Sequence, residues 1–299
     1  MPSSSERPVA VVTGAARGLG RAEALRFAES GAAVVVNDLD AAGLEDTVAA
    51  VIDRGGSALA QPGDVTDEHD ADALIEAAVA HYGRLDALVN NAGITADRMV
   101  FNLSKPEWDS VIAVNLTGTF LPTRAAARHW RAVAKATGRP AGAAIVNTTS
   151  RAGLFGNPGQ ANYGSAKSGV ATLAMIVARE LRRYGVRCNA VAPRAFTPLM
   201  RQSFGDFRAD EVANWSPEAI ARIVVHLAGP ESEPITGQTL LVQGRRVSLI
   251  APWHEVAAVE LGGDGLADEL ASLFDAHPAA ISEFEVTEGL PLVDPRPGR

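Results

Sequence analysis

A phenol and an ammonium stand four residues apart at Tyr163 and Lys167, and the hydroxyl of Ser150 lies thirteen residues upstream. On a helix that spacing stacks Tyr163 and Lys167 on one face, one turn apart. A free tyrosine, with a pKa of about 10, is a poor base at neutral pH. A lysine cation held beside it favours the phenolate and is expected to lower that pKa. A phenol so tuned can shuttle a proton for an alcohol and ketone pair, and a hydroxyl such as Ser150 can hold the substrate oxygen. The spacing is common, and taken alone it reads first as a solvated helix face. The segments upstream decide between the two readings.

Val9 to Val12 form an apolar run that ends in Thr13-Gly14-Ala15-Ala16-Arg17-Gly18-Leu19-Gly20. A helical pattern follows (Ala22, Leu25, Phe27, Ala28) and closes at Gly31. Glycines there let the backbone turn tightly and approach a pyrophosphate, while free N–H groups at the helix start face it. A second apolar run, Ala33 to Val36, ends in Asn37-Asp38. Asp38 lies eighteen residues after Gly20, near the distance expected of an acid that holds the adenosine ribose hydroxyls. Strand, loop, helix, strand and acid in this order are far more specific than a lone glycine loop.

The glycine spacing is G-x-x-x-G-x-G. Together with Asn90-Asn91-Ala92-Gly93 after the strand-like Leu85 to Val89, and with Tyr163-x-x-x-Lys167, it occurs in the order and spacing of the short-chain dehydrogenase/reductase family. The chain resembles that family over about residues 8 to 250. The resemblance makes Tyr163 the acid/base, and Lys167 the residue that tunes it and binds the nicotinamide ribose. Ser150 matches the substrate-orienting serine, and Asn115 matches the asparagine that holds a proton-relay water. Gly14, Arg17, Gly18, Leu19 and Gly20 form the cofactor loop. Asn91 and Gly93 line the cleft, and Asp64 and Val65 flank the adenine. Val34 to Leu39, Asp97-Arg98 and Gly156 to Tyr163 are further similar to the (3R)-hydroxyacyl-CoA dehydrogenase module of multifunctional β-oxidation enzymes. Related actinobacterial hydroxysteroid and acyl-CoA dehydrogenases share the likeness.

One departure follows the sixth strand, where the family's Pro-Gly turn is replaced by Pro193-Arg194. Pro193 is expected against the cofactor, and Thr197 is the candidate for the nicotinamide carboxamide contact. Arg194 is expected to be a solvated loop side chain, with contact to an acid on the substrate as the alternative. Cofactor choice rests on Asp38 against Arg17. A 2′-phosphate beside Asp38 would face a like charge, at a cost on the order of 4 kcal/mol at contact and intermediate dielectric. Arg17 offsets only part of that, so NAD is expected over NADP.

The length of 299 residues and an apolar fraction of 47% suit one large α/β domain. Strands are expected near 8–13, 33–37, 57–61, 85–89, 143–148, 186–191 and 238–243. Helices are expected near 18–30, 41–54, 67–81, 106–134, 161–184 and 217–228. Their alternation implies a doubly wound parallel sheet of Rossmann type, with ligands at the carboxyl ends of the strands. The expected organisation is a catalytic domain over 1–250 and an acidic extension over 251–299. That extension holds ten acids and two bases, an excess equal to the net charge of −8 of the whole chain. Within it Leu266, Leu270, Leu273 and Phe274 fall at helical spacing before Pro278. A short lid is expected from Pro198 to Ser216, with Phe204, Phe207 and Trp215 as pocket or packing residues.

Several classes drop out. The acidic balance and the lack of a basic patch argue against nucleic acid. No apolar run reaches membrane-helix length, and Met1 to Arg7 do not read as a signal peptide. Cys188 is the only cysteine, so a reducing cytoplasm is expected and no disulfide forms within the chain. The six histidines lack paired metal-ligand spacing, and Ser150 lacks the G-x-S-x-G elbow of a hydrolase. The expected activity is an NAD(H)-dependent exchange between a small-molecule secondary alcohol and its ketone. A 3-hydroxyacyl or 3-oxoacyl thioester is the favoured substrate and a hydroxysteroid the alternative. A non-catalytic dinucleotide sensor and a sugar-nucleotide epimerase are rivals, and the intact acid/base set and the glycine spacing speak against them. The family further implies a homo-oligomer, dimer or tetramer. The stripe Val170, Leu173, Ala174, Ile176 and Val177 fits either an interface or burial on the sheet.

Overall fold

Short valine-rich runs buried on both faces make the strands of a parallel sheet. β1 (Val9–Thr13), β2 (Ala33–Asn37), β3 (Ser57–Ala60), β4 (Ala87–Asn90), β5 (Ala143–Thr148), β6 (Val186–Arg194) and β7 (Thr239–Gln243) all run parallel. β8 (Arg246–Ile250) folds back antiparallel on β7. The order across the sheet is β3-β2-β1-β4-β5-β6-β7-β8. The winding direction reverses between β1 and β4, which opens a crevice at their carboxyl ends. The computed structural model describes residues 7–195 and 215–253, with 255, 257–259 and 271 beyond them. The chain divides into two units, Met1–Ile250 and Ala251–Arg299, and every element named here belongs to the first. Thr197, Phe204, Phe207 and, apart from Ala271, the helix expected over 266–274 lie outside the described residues.

Side-chain alternation splits the core into two layers. Val12, Val36, Val89, Val146 and Val191 face α1 (Gly18–Glu29), α2 (Ala41–Ile52) and α8 (Pro217–Ala228). Val11, Val35, Leu88, Ile145 and Ala190 face α3 (Glu68–Tyr82), α5 (Gly118–Thr137) and α7 (Ala161–Leu181). This is the doubly wound α/β architecture expected from the alternation of the sequence. Val170, Ala174 and Val177 are buried in α7, whereas Ile176 is exposed, so most of that stripe packs inward.

Three features depart from the sequence reading. The helix expected over 106–134 is broken: α4 (Lys105–Ile112) is followed by a π-helical turn, Ala113–Thr117, before α5 begins. Side chains compete for the backbone there. Asn115 Nδ2 donates to the Val111 carbonyl, and Thr119 Oγ1 donates to the Asn115 carbonyl. A five-residue helix, α6 (Arg151–Phe155), follows β5. β8 was not expected either. Its connection is the two-residue turn Gly244-Arg245, with Gly244 in the left-handed region.

Candidate active site

The glycine loop shows why side chains are excluded from it. Gly14 and Gly18 adopt φ of 66° and 57°. A Cβ on Gly20 would lie 2.2 Å from the Gly14 carbonyl oxygen and 2.6 Å from Asn91 Nδ2. Asn91 donates through Nδ2 to the carbonyls of Thr13 (3.1 Å) and Gly14 (3.2 Å), which clamps the end of β4 to the loop. Helices α2, α3, α4 and α8 each start on a capping Asp or Ser, whereas α1 starts at Arg17 with no side-chain cap and no acid in its first turn. Its opening amides are therefore unclaimed by side chains, as an anion site requires. Leu19 is buried and Arg17 is exposed.

At the end of β2, Asp38 Oδ2 accepts from the Ala16 amide at 3.2 Å and Oδ1 from the Asp40 amide at 3.2 Å. The carboxylate is thus fixed beside the glycine loop. Asp64 Oδ1 accepts from the amide and hydroxyl of Thr66, both at 2.8 Å, and Val65 packs where a Cβ on Gly118 would approach it to 2.6 Å. These residues fit a dinucleotide: a cradle too tight for side chains, unclaimed amides, and an acid at the ribose position.

The candidate acid/base residues gather after β5 and on α7. Ser150 caps α6, its Oγ accepting from the Ala152 amide at 3.2 Å. Tyr163 and Lys167 sit one turn apart on α7. Two bonds staple α7 to the end of β5: Lys167 Nζ donates to the Thr148 carbonyl (2.8 Å), and Thr149 Oγ1 donates to the Lys167 carbonyl (2.6 Å). Helices α6 and α7 touch at Gly153, where a Cβ would lie 2.6 Å from the Lys167 carbonyl carbon. Asn115, in the π turn, donates to the Ile94 and Val111 carbonyls, while its buried Oδ1 has no protein partner. A Cβ on Gly93 would come within 2.6 Å of that Oδ1 and 3.5 Å of Lys167 Nζ. Asn115 and Lys167 thus border the same glycine.

Electrostatics corrects one expectation. The Tyr163 hydroxyl is pushed up to about 12, chiefly by burial. A hydrogen bond from Ser150 opposes the rise, and the charge of Asp97 adds to it. Lys167, whose Nζ lies 5.8 Å from the centre of the Tyr163 ring, does not lower the phenol here. Its own ammonium is brought down to about 8 by burial. Asp97 is held by Gln160 Nε2 at 2.9 Å, and its Oδ1 is buried without a partner.

Arg194 also departs from expectation. It closes β6, is 8% exposed, and holds its guanidinium carbon 3.9 Å from the centre of the Trp215 ring. Burial and then the nearby charge of Arg151 bring it down to about 10, so it keeps its proton at neutral pH. Neither the burial nor the Trp215 stack has a signal in the sequence, because a loop arginine is ordinarily solvated. Pro193 pairs with Val242 in the same strand. Asp67, His69 and Asp70 bring ligand atoms within 4.8 Å of one another, but the Asp67 carboxylate caps α3 and Asp70 accepts from the Asp64 amide. Among the described residues no helix is long and apolar enough to cross a membrane.

Comparison with known proteins gives a consistent result. The profile of the short chain dehydrogenase family matches residues 8–209. Hydroxyacyl-CoA dehydrogenase ChsB1 of Mycobacterium tuberculosis is 49% identical over 255 residues, covering 82% of this chain and 80% of that protein. A crystal structure of a short chain dehydrogenase from Mycobacterium avium superposes with a TM-score of 0.82 at 38% identity, over 91% of this chain and 96% of that one. The 3-ketoacyl-(acyl-carrier-protein) reductase of Brucella melitensis, complexed with NADH, gives a TM-score of 0.71 at 33% identity, over 80% and 98%.

Proposed function

The chain belongs to the short-chain dehydrogenase family, an oxidoreductase with a nicotinamide cofactor, and from that premise we propose that it interconverts a 3-hydroxyacyl and a 3-oxoacyl thioester using NAD(H). The observation that carries this reading is the meeting of Ser150, at the start of α6, with Tyr163 and Lys167 on α7, beside the unpartnered Oδ1 of Asn115. The cofactor, when bound, supplies or accepts the hydride. Gly14, Arg17, Gly18, Leu19 and Gly20 hold its pyrophosphate, and Asp38 holds the adenosine ribose. Asp64 and Val65 flank the adenine, and Asn91, Gly93 and Pro193 line the cleft. Lys167 and Tyr163 hold the second ribose.

In the reductive direction Tyr163 Oη gives its proton to the ketone oxygen, which Ser150 Oγ holds by donating a hydrogen bond. Asn115 Oδ1 accepts from a water that returns the proton by way of Lys167. A phenol at about 12 keeps its proton at neutral pH, so the folded site is loaded for reduction. Oxidation needs positive charge brought closer to Oη, and Lys167 is the nearby cation able to supply it.

NAD is favoured over NADP because Asp38 would face a 2′-phosphate, a like-charge contact costing on the order of 4 kcal/mol. We assign catalysis to residues 1–250 and an accessory role to the acidic extension 251–299. A reducing cytoplasm suits the single buried Cys188. A dimer or tetramer would cover the exposed Trp108, Phe120 and Ile176 on α4, α5 and α7. The test is a panel of 3-oxoacyl-CoA, 3-oxoacyl-carrier-protein and oxosteroid substrates, followed by NADH absorbance. Turnover of the thioesters is expected, and turnover confined to steroids overturns the assignment.

A further inference from the structure

Arg151 and Arg194 form a pair of cations that nothing in the reaction above uses. Arg151 follows Ser150 directly and begins α6. β5 and β6 run parallel with Thr148 opposite Val191, so positions 151 and 194 leave the same rim, each three residues past that pair. Alternation along β6 sends Val191 to the α1 and α8 layer and Ala190 to the α7 layer. Arg194 has the parity of Ala190 and therefore starts from the face that carries α7 with Tyr163 and Lys167. The two guanidinium groups are close enough for Arg151 to weaken the hold of Arg194 on its proton. None of the ion pairs among the described residues includes either one. Arg194 is more than nine-tenths removed from water and stacks on the face of Trp215.

Two like charges held together without an acid destabilise a fold, and stacking on an indole offsets only part of that cost. An oxyanion placed between them would relieve the repulsion and could accept forked, charge-assisted hydrogen bonds. We propose that Arg151 and Arg194 bind an anionic group of the substrate, a carboxylate or a phosphate, next to the carbon whose oxygen Ser150 and Tyr163 hold. The placement rests on the assignment of Ser150 and Tyr163 to the reacting oxygen. The anion has two possible sources: a carboxylate on the acyl portion, or a phosphate of the thioester carrier.

Three 3-oxoacyl thioesters of one chain length separate these sources. The first is an uncharged N-acetylcysteamine thioester, the second is the CoA thioester, and the third is an N-acetylcysteamine thioester whose chain ends in a carboxylate. NADH-linked kcat/KM is measured for the wild type and for Arg194→Gln, Arg194→Lys and Arg151→Gln. The expected result is that each glutamine variant lowers the charged-to-uncharged ratio of kcat/KM by about tenfold or more, with Arg194→Lys recovering part of it. Arg151→Gln keeps the Arg194–Trp215 stack, so a fall in its ratio is not a packing effect. A ratio that falls only for CoA identifies the carrier phosphate, and one that falls only for the carboxylated chain identifies the acyl carboxylate. Either outcome supports the site. Losses equal across all three thioesters overturn it and leave Arg194 as packing for Trp215. A second readout does not depend on turnover, and so separates failure of this site from failure of the thioester assignment. Thermal unfolding of the NADH-loaded protein is followed with glutarate and with glutaramide. A stabilisation by glutarate over glutaramide that Arg194→Gln abolishes supports the pair, and equal effects of the two compounds overturn it.

Discussion

Replacing Gly153 with alanine should drive apart the two helices that carry the reactive side chains. A Cβ at Gly153 meets the carbonyl carbon of Lys167 at 2.6 Å, the Ser168 amide nitrogen at 2.7 Å and Lys167 Cβ at 2.8 Å. Two of these atoms are backbone, so no rotamer change relieves the clash. Ordinary contact begins at 3.4 Å, and α6 and α7 must therefore part by about 0.8 Å. Ser150 immediately precedes α6 and Tyr163 rides on α7, so the displacement falls on the hydrogen bond between them. A misplacement of about 1 Å at reacting groups costs on the order of a hundredfold in rate, and overpacking of this kind costs about 1–3 kcal/mol of stability. The cofactor loop and Asp38 lie on other elements. Gly153→Ala is therefore expected to lose about fifty- to a hundredfold in kcat/KM, with a smaller loss of NADH affinity, read by fluorescence titration, because of the cofactor contacts only those of Lys167 and Tyr163 move. A folded Gly153→Ala protein with kcat/KM within about threefold of the wild type would refute the claim that this contact sets the Ser150–Tyr163 geometry.

Three further outcomes follow from the structure. Tyr163→Phe should lower NAD-linked turnover by about a hundredfold or more, a loss far larger than any in NADH affinity from its one ribose contact; turnover equal to the wild type sinks the mechanism. Asp38→Asn removes the like charge facing a 2′-phosphate and should narrow the NAD-to-NADP ratio of kcat/KM by at least about tenfold; an unchanged ratio would place cofactor choice elsewhere. Glu23 is fully buried with both carboxyl oxygens unpartnered, and burial raises it well above the usual carboxylate range. Its proton is held in the folded state but lost in the unfolded state between the ordinary and the raised pKa, so stability falls as pH rises through that window. Glu23→Met should thus stabilise the protein by about 1–3 kcal/mol at pH near 8 and by less near pH 5. Urea melts at the two pH values check this, and an equal gain at both contradicts it.

The parts that the sequence made legible are those with a local physical rule. Valine runs such as Val9–Val12 and Val34–Val36 can only be doubly buried strands, and a glycine loop between strand and helix announces a close backbone approach. The order of Asp38, Asn91 and Tyr163 along the chain then gathers them on one rim. The departures have no such rule. The π turn at Asn115 arises from competition between side chains and helix carbonyls, and helical periodicity runs through it unbroken. α6 is too short to show a period. β8 shows two exposed hydrophobics, Val247 and Leu249, on an edge strand, a pattern that single-sequence reading takes for a loop. Asn91 reads as a residue lining the cleft, yet its amide is spent on holding the glycine loop.

Charge is where local rules fail most clearly, because they send every charged side chain to water. Here Glu23, Lys167 and Arg194 are each more than nine-tenths buried, in three different elements. The lysine's burial has a structural reason: its Nζ ties α7, which carries Tyr163, to the end of β5, two residues before Ser150. That same bond holds the ammonium away from the phenol, so the charge that Tyr163 feels is that of Asp97, and it acts in the opposite direction. Spacing alone placed the two side chains one turn apart, but the lowering of Tyr163 by Lys167 expected from it is absent. A four-residue separation fixes which face of the helix two side chains share, and not which carbonyl the lysine chooses. The proton affinity of Tyr163 is therefore a property of the assembled rim, set first by the loss of water around its hydroxyl, then by Ser150 and Asp97. The resulting phenol is loaded for giving a proton to a ketone, and its conversion to a base depends on moving positive charge toward it.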